Sequence, residues 1–167
     1  MAAPSPELLA DVQRLRAGLL DIADRARTLS WNAERPWTPP THVWGEKGSP
    51  VVDLHDLSVK LGVACVDAVL EQADALKSGA VIWVIGRGSH SLGGKSPLRA
   101  AVQDRLLEAA EERGWRLRAG APGRLVLVLD EGKATAAAGG RLGLVAWGAI
   151  LLFVASLAWA LWQAVAG

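Results

Sequence analysis

The stretch that most limits how this chain can fold runs Val81-Ile82-Trp83-Val84-Ile85-Gly86-Arg87-Gly88-Ser89-His90-Ser91-Leu92-Gly93-Gly94-Lys95-Ser96-Pro97-Leu98. Its first five residues are a continuous apolar run, the mark of a buried strand. The run breaks into a segment of glycine, serine, Arg87, His90 and Lys95. Ser96-Pro97 then opens a helix, because serine caps free amides and proline fits the first helical position. A strand that ends in a cationic, glycine-rich loop and feeds a helix N-terminus is a natural anion site. The ligand expected there is a phosphate, on a small molecule or a nucleic acid.

The flanking residues supply the rest of an α/β unit. Residues 51–55 form a short strand. Ser58 caps a helix whose Val59, Val63, Val66, Leu70 and Ala73 make one apolar stripe, with Gly79 ending it. Residues 96–113 form a second helix, with Leu98, Val102, Leu106 and Ala109 turned inward and Gly114 as its stop. Residues 115–119 and 124–129 read as strands joined through Gly120-Ala121-Pro122-Gly123. The order β-α-β-α-β-β over residues 51–130 predicts an α/β fold: a four-stranded mixed sheet, two helices, parallel crossovers and a final hairpin.

Outside that unit the signals change. Ser5-Pro6-Glu7 starts a helix, and Leu8, Val12, Leu15, Leu19, Ile22, Ala26 and Leu29 recur at steps of four and three. This amphipathic helix, within residues 1–29, either packs on its own domain or dimerises the protein as a coiled coil. Residues 30–50 read as a linker, because Pro36, Pro39, Pro40 and Pro50 oppose a regular helix. Trp31, Trp37 and Trp44 in that segment pack on the domain or lie near a membrane surface. Residues 131–141 read as a small-residue linker. Residues 142–165 carry no charge and, at roughly 1.5 Å per residue, are long enough to cross a hydrocarbon core of about 30 Å. Trp159 and Trp162 suit an interfacial belt. With Lys133 and Arg141 on the N-terminal side, a single-pass protein with its N-terminal domain in the cytoplasm is expected. No secretory signal is read at the N-terminus.

The 167 residues carry a formal net charge of +1, so any basic surface must be local rather than global. Cys65 stands alone, which excludes an internal disulfide and a multi-cysteine zinc site. Asp53 and His55 are two apart on a strand and so share a face. Asp53 there can orient His55 as a general acid or base, or the two can hold a divalent metal ion. No cofactor is otherwise required. The loop after the second strand adds Arg87, to stabilise phosphoryl charge, and His90. Arg116 and Arg118 share a strand face and, with Arg87, Lys95 and Arg99, are candidates for a basic patch beside that loop.

Val52-Asp53-Leu54-His55 on a first strand, Gly86-Arg87-Gly88-Ser89-His90-Ser91 after a second, and Pro122-Gly123 before an apolar last strand resemble the Smr (small MutS-related) domain. The resemblance covers residues 51–130. That family has a D-L-H-G signature on its first strand and a T/H-G-x-G signature after its second. Its fold is similar to the C-terminal domain of translation initiation factor three. The resemblance implies nucleic-acid binding and endonuclease activity on DNA or RNA. It makes Asp53 and His55 active-site residues and has Gly86, Arg87 and Gly88 bind backbone phosphate, with Ser89 beside them. Two positions depart from the pattern: Asp56 stands where the family has glycine, and Ile85 where it has threonine or histidine.

Two rivals remain open at this level. A membrane-tethered adaptor that holds nucleic acid or a ribosome needs the basic loop but not the Asp-His pair. Residues 89–96 also approach the G-x-x-x-x-G-K-[ST] phosphate loop, with Leu125-Val126-Leu127-Val128-Leu129-Asp130 as a magnesium-binding strand. Against this, Ser89 replaces the first glycine and Pro97 removes an amide where phosphate would sit.

Overall fold

The structure, a computed structural model, describes residues 4–29, 36–86 and 96–138. The chain divides into two units, Met1–Ala137 and Ala138–Gly167. Trp31, Arg87, Gly88, Ser89, His90 and Lys95 lie outside the described residues, as does the apolar stretch 142–165. No helix among the described residues is long and apolar enough to cross a membrane.

The sheet has five strands: β1 Val43–Glu46, β2 Ser49–Asp53, β3 Ala80–Val84, β4 Arg116–Ala119 and β5 Arg124–Val128. Their spatial order is β1-β2-β3-β5-β4. Only β2 and β3 are parallel neighbours, in the register Val51↔Ile82, Val52↔Trp83, Asp53↔Val84. The other neighbouring pairs, β1–β2, β3–β5 and β4–β5, are antiparallel. The sheet is therefore mixed, as expected, but one strand wider.

The extra strand arises inside the expected linker. Lys47 and Gly48 both take positive φ, 50° and 78°, the conformation of a two-residue turn that joins twisted strands. Pro50 pairs with Gly45 on β1, while pairing to β3 starts only at Val51. Its missing N–H therefore leaves no gap in the parallel ladder. Just before β1, Pro39–His42 forms the short helix α3.

Capping sets the main helices. Ser58 Oγ accepts from Leu61 N–H at the start of α4, Val59–Leu70, and Ser96 Oγ from Arg99 N–H at the start of α5, Pro97–Arg113. Helix α4 stops at Leu70, short of Gly79, and a 3-10 turn at Ala73–Ala75 follows. The expected linker after β5 is helical instead: α6 spans Glu131–Ala138. Asp130 caps it by accepting from Gly132 N–H (2.9 Å) and Lys133 N–H (3.3 Å).

The heptad seam is not a dimer surface. The chain breaks at Leu19 into α1, Pro6–Gly18, and α2, Leu20–Leu29. Leu8, Val12, Leu15, Leu19, Ile22 and Ala26 are buried in the same core as Val52, Val66, Trp83, Leu106 and Leu127. A coiled coil needs that seam free and the helix continuous; neither holds. Asp11 on α1 is 2% exposed and closes the seam's other side. Its carboxylate accepts from the amides of Lys77 (3.0 Å) and Ser78 (2.7 Å) and from Ser78 Oγ (2.5 Å).

By strand alternation, Val43, Val52, Val81, Trp83, Leu125 and Leu127 share the core face. Glu46 and Arg124 share the opposite face and join across β2 and β3 at 2.9 Å.

Replacing Asp11 by alanine orphans three donors and should cost about 3 kcal/mol, read as a lower urea midpoint; a change within ~0.5 kcal/mol would show the contact to be incidental. Burial pushes the Cys65 thiol up to about 12 from 9.0. An unfolded chain ionises this thiol first. The group's contribution is therefore intact below about pH 9 and lost as pH climbs toward 12. In Cys65→Ala the alkaline fall in urea midpoint should be shallower.

Candidate active site

The parallel register of β2 and β3 puts their C-terminal ends side by side. Leu54 N–H donates to Val84 O at 2.8 Å, carrying the pairing one residue past β2. Ile85 N–H donates to Gly123 O at 2.9 Å, which brings the β4–β5 turn to the same edge. That turn closes through Arg124 N–H to Ala121 O, with Gly123 at φ 83°. Proline then glycine at its two central positions is the sequence such a turn requires.

On this edge the structure brings Asp53 and His55 together. One oxygen, Asp53 Oδ1, meets His55 Nδ1 at 2.5 Å and accepts from the His55 amide at 2.9 Å. β2 ends at Asp53, so the pair is made by a local aspartate turn and not by strand alternation. The carboxylate is acceptor-only when ionised, so Nδ1 carries a proton and the neutral ring keeps its lone pair on Nε2. The Asp53 side chain is 20% exposed and that of His55 51%, which sets the ring at the surface over a more shielded carboxylate. The main chain at Asp53 is also held: buried Trp37 donates its indole N–H to Asp53 O at 2.7 Å.

Gly86 closes on the ring. Its φ is +73°, and a Cβ placed there would lie 3.0 Å from His55 Nε2. Glycine is needed for the backbone angle and for the approach. Ile85 turns the other way and is buried in the core, so it adds no polar group to the edge. At the far side of the loop, Leu98 fits against Gly62, where a Cβ would come within 2.4 Å of Leu98 Cδ1. This close contact seats the first turn of α5, with half-buried Arg99 on it.

Arg116 and Arg118 do not join these residues. Arg116 pairs with Val128, which pairs with Ala80 at the start of β3, so it sits toward the opposite edge. Both guanidinium groups bind Glu131 Oε1, at 3.2 Å and 2.6 Å. β5 lies between these two arginines and β3, and both share one carboxylate, Glu131, while Arg87 and Lys95 of the expected patch lie outside the described residues. The phosphate-loop reading meets the same geometry. Because β5 is antiparallel to β3, Asp130 lies at the start of β3, where its amide binds Gly79 O, and its carboxylate is spent capping α6. It is not at the edge that receives the loop after β3.

The sequence reading missed a neighbouring cavity of about 420 Å³, lined by Pro36, Thr38, Thr41, His42 and Asp56. His42 stacks on Trp37 with ring centroids 5.4 Å apart and 28° between planes. Thr38 N–H points at His42 Nδ1 (3.2 Å), and Thr41 Oγ1 lies 2.8 Å from it. Arg16 on α1 donates to the carbonyls of Pro40 and Val43, clamping α3 from behind. A histidine directly after Thr38-Pro39-Pro40-Thr41 was the available signal. No group of three or more His, Cys, Asp or Glu side chains is placed to hold a metal among the described residues.

No family model matches the sequence, and no curated protein matches it. Among solved structures, the chain is similar to the solution structure of the B3BP Smr domain, at 22% identity and a TM-score of 0.36. The match covers 72% of this chain and 99% of that one. The fold described above stands on its own strand order and register.

Gly86→Ala should lower stability by about 1–2 kcal/mol through the strained backbone and displace His55. Side-chain NMR signals of the His55 ring would move; unchanged signals would show that ring and backbone are not in contact.

Proposed function

We propose that this chain binds nucleic acid and cleaves phosphodiester bonds as an endonuclease on DNA or RNA, with His55 as the acid–base group and Asp53 as its orienting partner. The observation that supports this most is the Asp53–His55 pair, which leaves Nε2 unprotonated in the neutral ring at the edge where the glycine-rich loop begins. The resemblance of residues 51–130 to the Smr domain points the same way.

The chemistry asked of the pair is limited. In the neutral ring, Nε2 takes the proton of the attacking oxygen as the phosphorus–oxygen bond forms. In the charged ring it returns a proton to the oxygen that leaves. Asp53 holds the ring in one tautomer and offsets the positive charge, as a buried carboxylate does for a catalytic histidine. Arg87 and Lys95 are assigned the phosphate charge, with the Gly86 and Gly88 backbones beside it and His90 as a second histidine; Arg99 joins them from the first turn of α5. A divalent metal is optional in this scheme. Residues 142–165 are assigned a membrane span that holds the unit at the cytoplasmic face. The buried, apolar Ile85 favours a second reading, a tethered module that binds without cutting.

The test is cleavage of labelled single-stranded RNA and duplex DNA by the full chain, with and without EDTA. His55→Ala should slow cleavage at least about 100-fold, and Arg87→Ala should weaken binding and its salt dependence. Undiminished cleavage by His55→Ala overturns the assignment. Binding that depends on Arg87 without any cleavage leaves the tethered module.

A further inference from the structure

The cavity beside the catalytic pair is built from polar groups that no step of the proposed cleavage uses. We infer that it is a base-recognition subsite selective for guanine, read by Asp56 and His42. This rests on the nucleic-acid reading above and extends it from cleavage to choice of sequence.

Position comes first. Asp56 directly follows His55 in the chain, and Trp37, which stacks on His42, is bonded to the carbonyl of Asp53. A group seated among Thr38, His42 and Asp56 is thus next to the pair that handles the phosphate. The cavity, about 420 Å³, lies in the range of small-ligand sites and is ample for one nucleobase.

Rigidity comes second. The loop and short helix that carry Thr38, Thr41 and His42 are tied at several points. Thr38 and Thr41 share a hydroxyl bond of 2.8 Å. Arg16 holds the carbonyls on either side of His42. His42 has a stacking partner beneath it. A site held this way loses little freedom when a planar ligand enters.

The polar pattern then selects the base. Thr38 N–H (3.2 Å) and Thr38 O (3.0 Å) both face His42 Nδ1. In the tautomer in which the N–H donates to Nδ1 the ring proton sits on Nε2, and this is the form the subsite uses. In that form Nε2 is the ring's donor. Nε2 has no partner among the described residues, nor has the exposed Asp56 carboxylate. Guanine offers two adjacent donors, N1–H and the 2-amino group, for the two carboxylate oxygens, and O6 as the acceptor for Nε2–H. Adenine turns an unprotonated N1 toward the carboxylate, and the pyrimidines lack the donor pair.

Asp56 also takes a left-handed backbone conformation. Its φ is +68°, which glycine adopts freely and aspartate more readily than most other residues, at a modest cost. The resemblance places a glycine at this position. A carboxylate there suits a base edge, where it accepts hydrogen bonds, far better than a phosphate, which it would repel.

The experiment titrates the full chain with GMP, AMP, CMP and UMP separately, following the His42 ring signals. Cleavage of oligonucleotides with and without a single guanine is measured in parallel. The expected result is GMP binding at least about tenfold tighter than AMP, as one bidentate base contact supplies. The preference should vanish in Asp56→Gly, which relaxes the backbone, and in Asp56→Asn, which keeps the side-chain volume. Equal binding of the four nucleotides, or a preference that survives Asp56→Gly, overturns the inference. Cleavage without base preference removes the subsite and leaves the nuclease. GMP selectivity without cleavage keeps the subsite and removes the nuclease.

Discussion

One pairing governs the rest of the molecule: the parallel register of β2 on β3. Two parallel neighbours must be joined by a crossover, which α4 supplies, and they must end at the same edge. Every other feature of the candidate site is a consequence or a reinforcement. The Asp53–His55 turn grows from the end of one strand and Gly86 from the end of the other. The β4–β5 turn is drawn in because antiparallel β5 presents its beginning there, and the Ile85 amide takes the Gly123 carbonyl. Had β2 and β3 run antiparallel, Asp53 and Gly86 would stand about a strand length apart.

The support behind that edge comes from parts of the chain that look peripheral. Trp37 precedes the sheet altogether, yet its indole fixes the carbonyl of Asp53. Arg16 belongs to the first helix, yet it grips the backbone around His42. A histidine that must hold one tautomer needs its carboxylate immobile, and here the residue bearing that carboxylate is tied through main chain and side chain alike. The N-terminal helices are accordingly scaffold, with their seam spent on the core rather than kept for a partner.

What could be read in advance were features with local causes. Ser58 and Ser96 announce helix starts, Pro122-Gly123 announces a turn, and the run at 81–85 announces a central strand. The Asp53–His55 pairing was legible because two residues suffice to make it, although a turn and not a strand pleat brings them together. The heptad was legible as a stripe but not as a destination, since steps of four and three suit a partner helix and a domain groove equally. β1 was hidden by the prolines around it, and nothing in Lys47-Gly48 outweighs them until β2 is present as a template. Arg116 and Arg118 looked free because Glu131, which binds them, is fifteen and thirteen residues away. His42 and Trp37 acquire meaning only once folding sets them beside Asp53.

The buried carboxylate of Asp11 has a consequence for the order in which the chain assembles. It meets its donors at Lys77 and Ser78, 66 and 67 positions later. During synthesis the first helix leaves the ribosome well before the residues that complete it. Until then Leu8, Val12, Leu15 and Leu19 have no groove to enter, and the chain carries an exposed apolar stripe with a charge on its flank. Long-range closure of this kind is slow relative to helix formation. The seam is therefore exposed until the later strands and α5, which carry Leu106 and Leu127 of the same core, have also emerged.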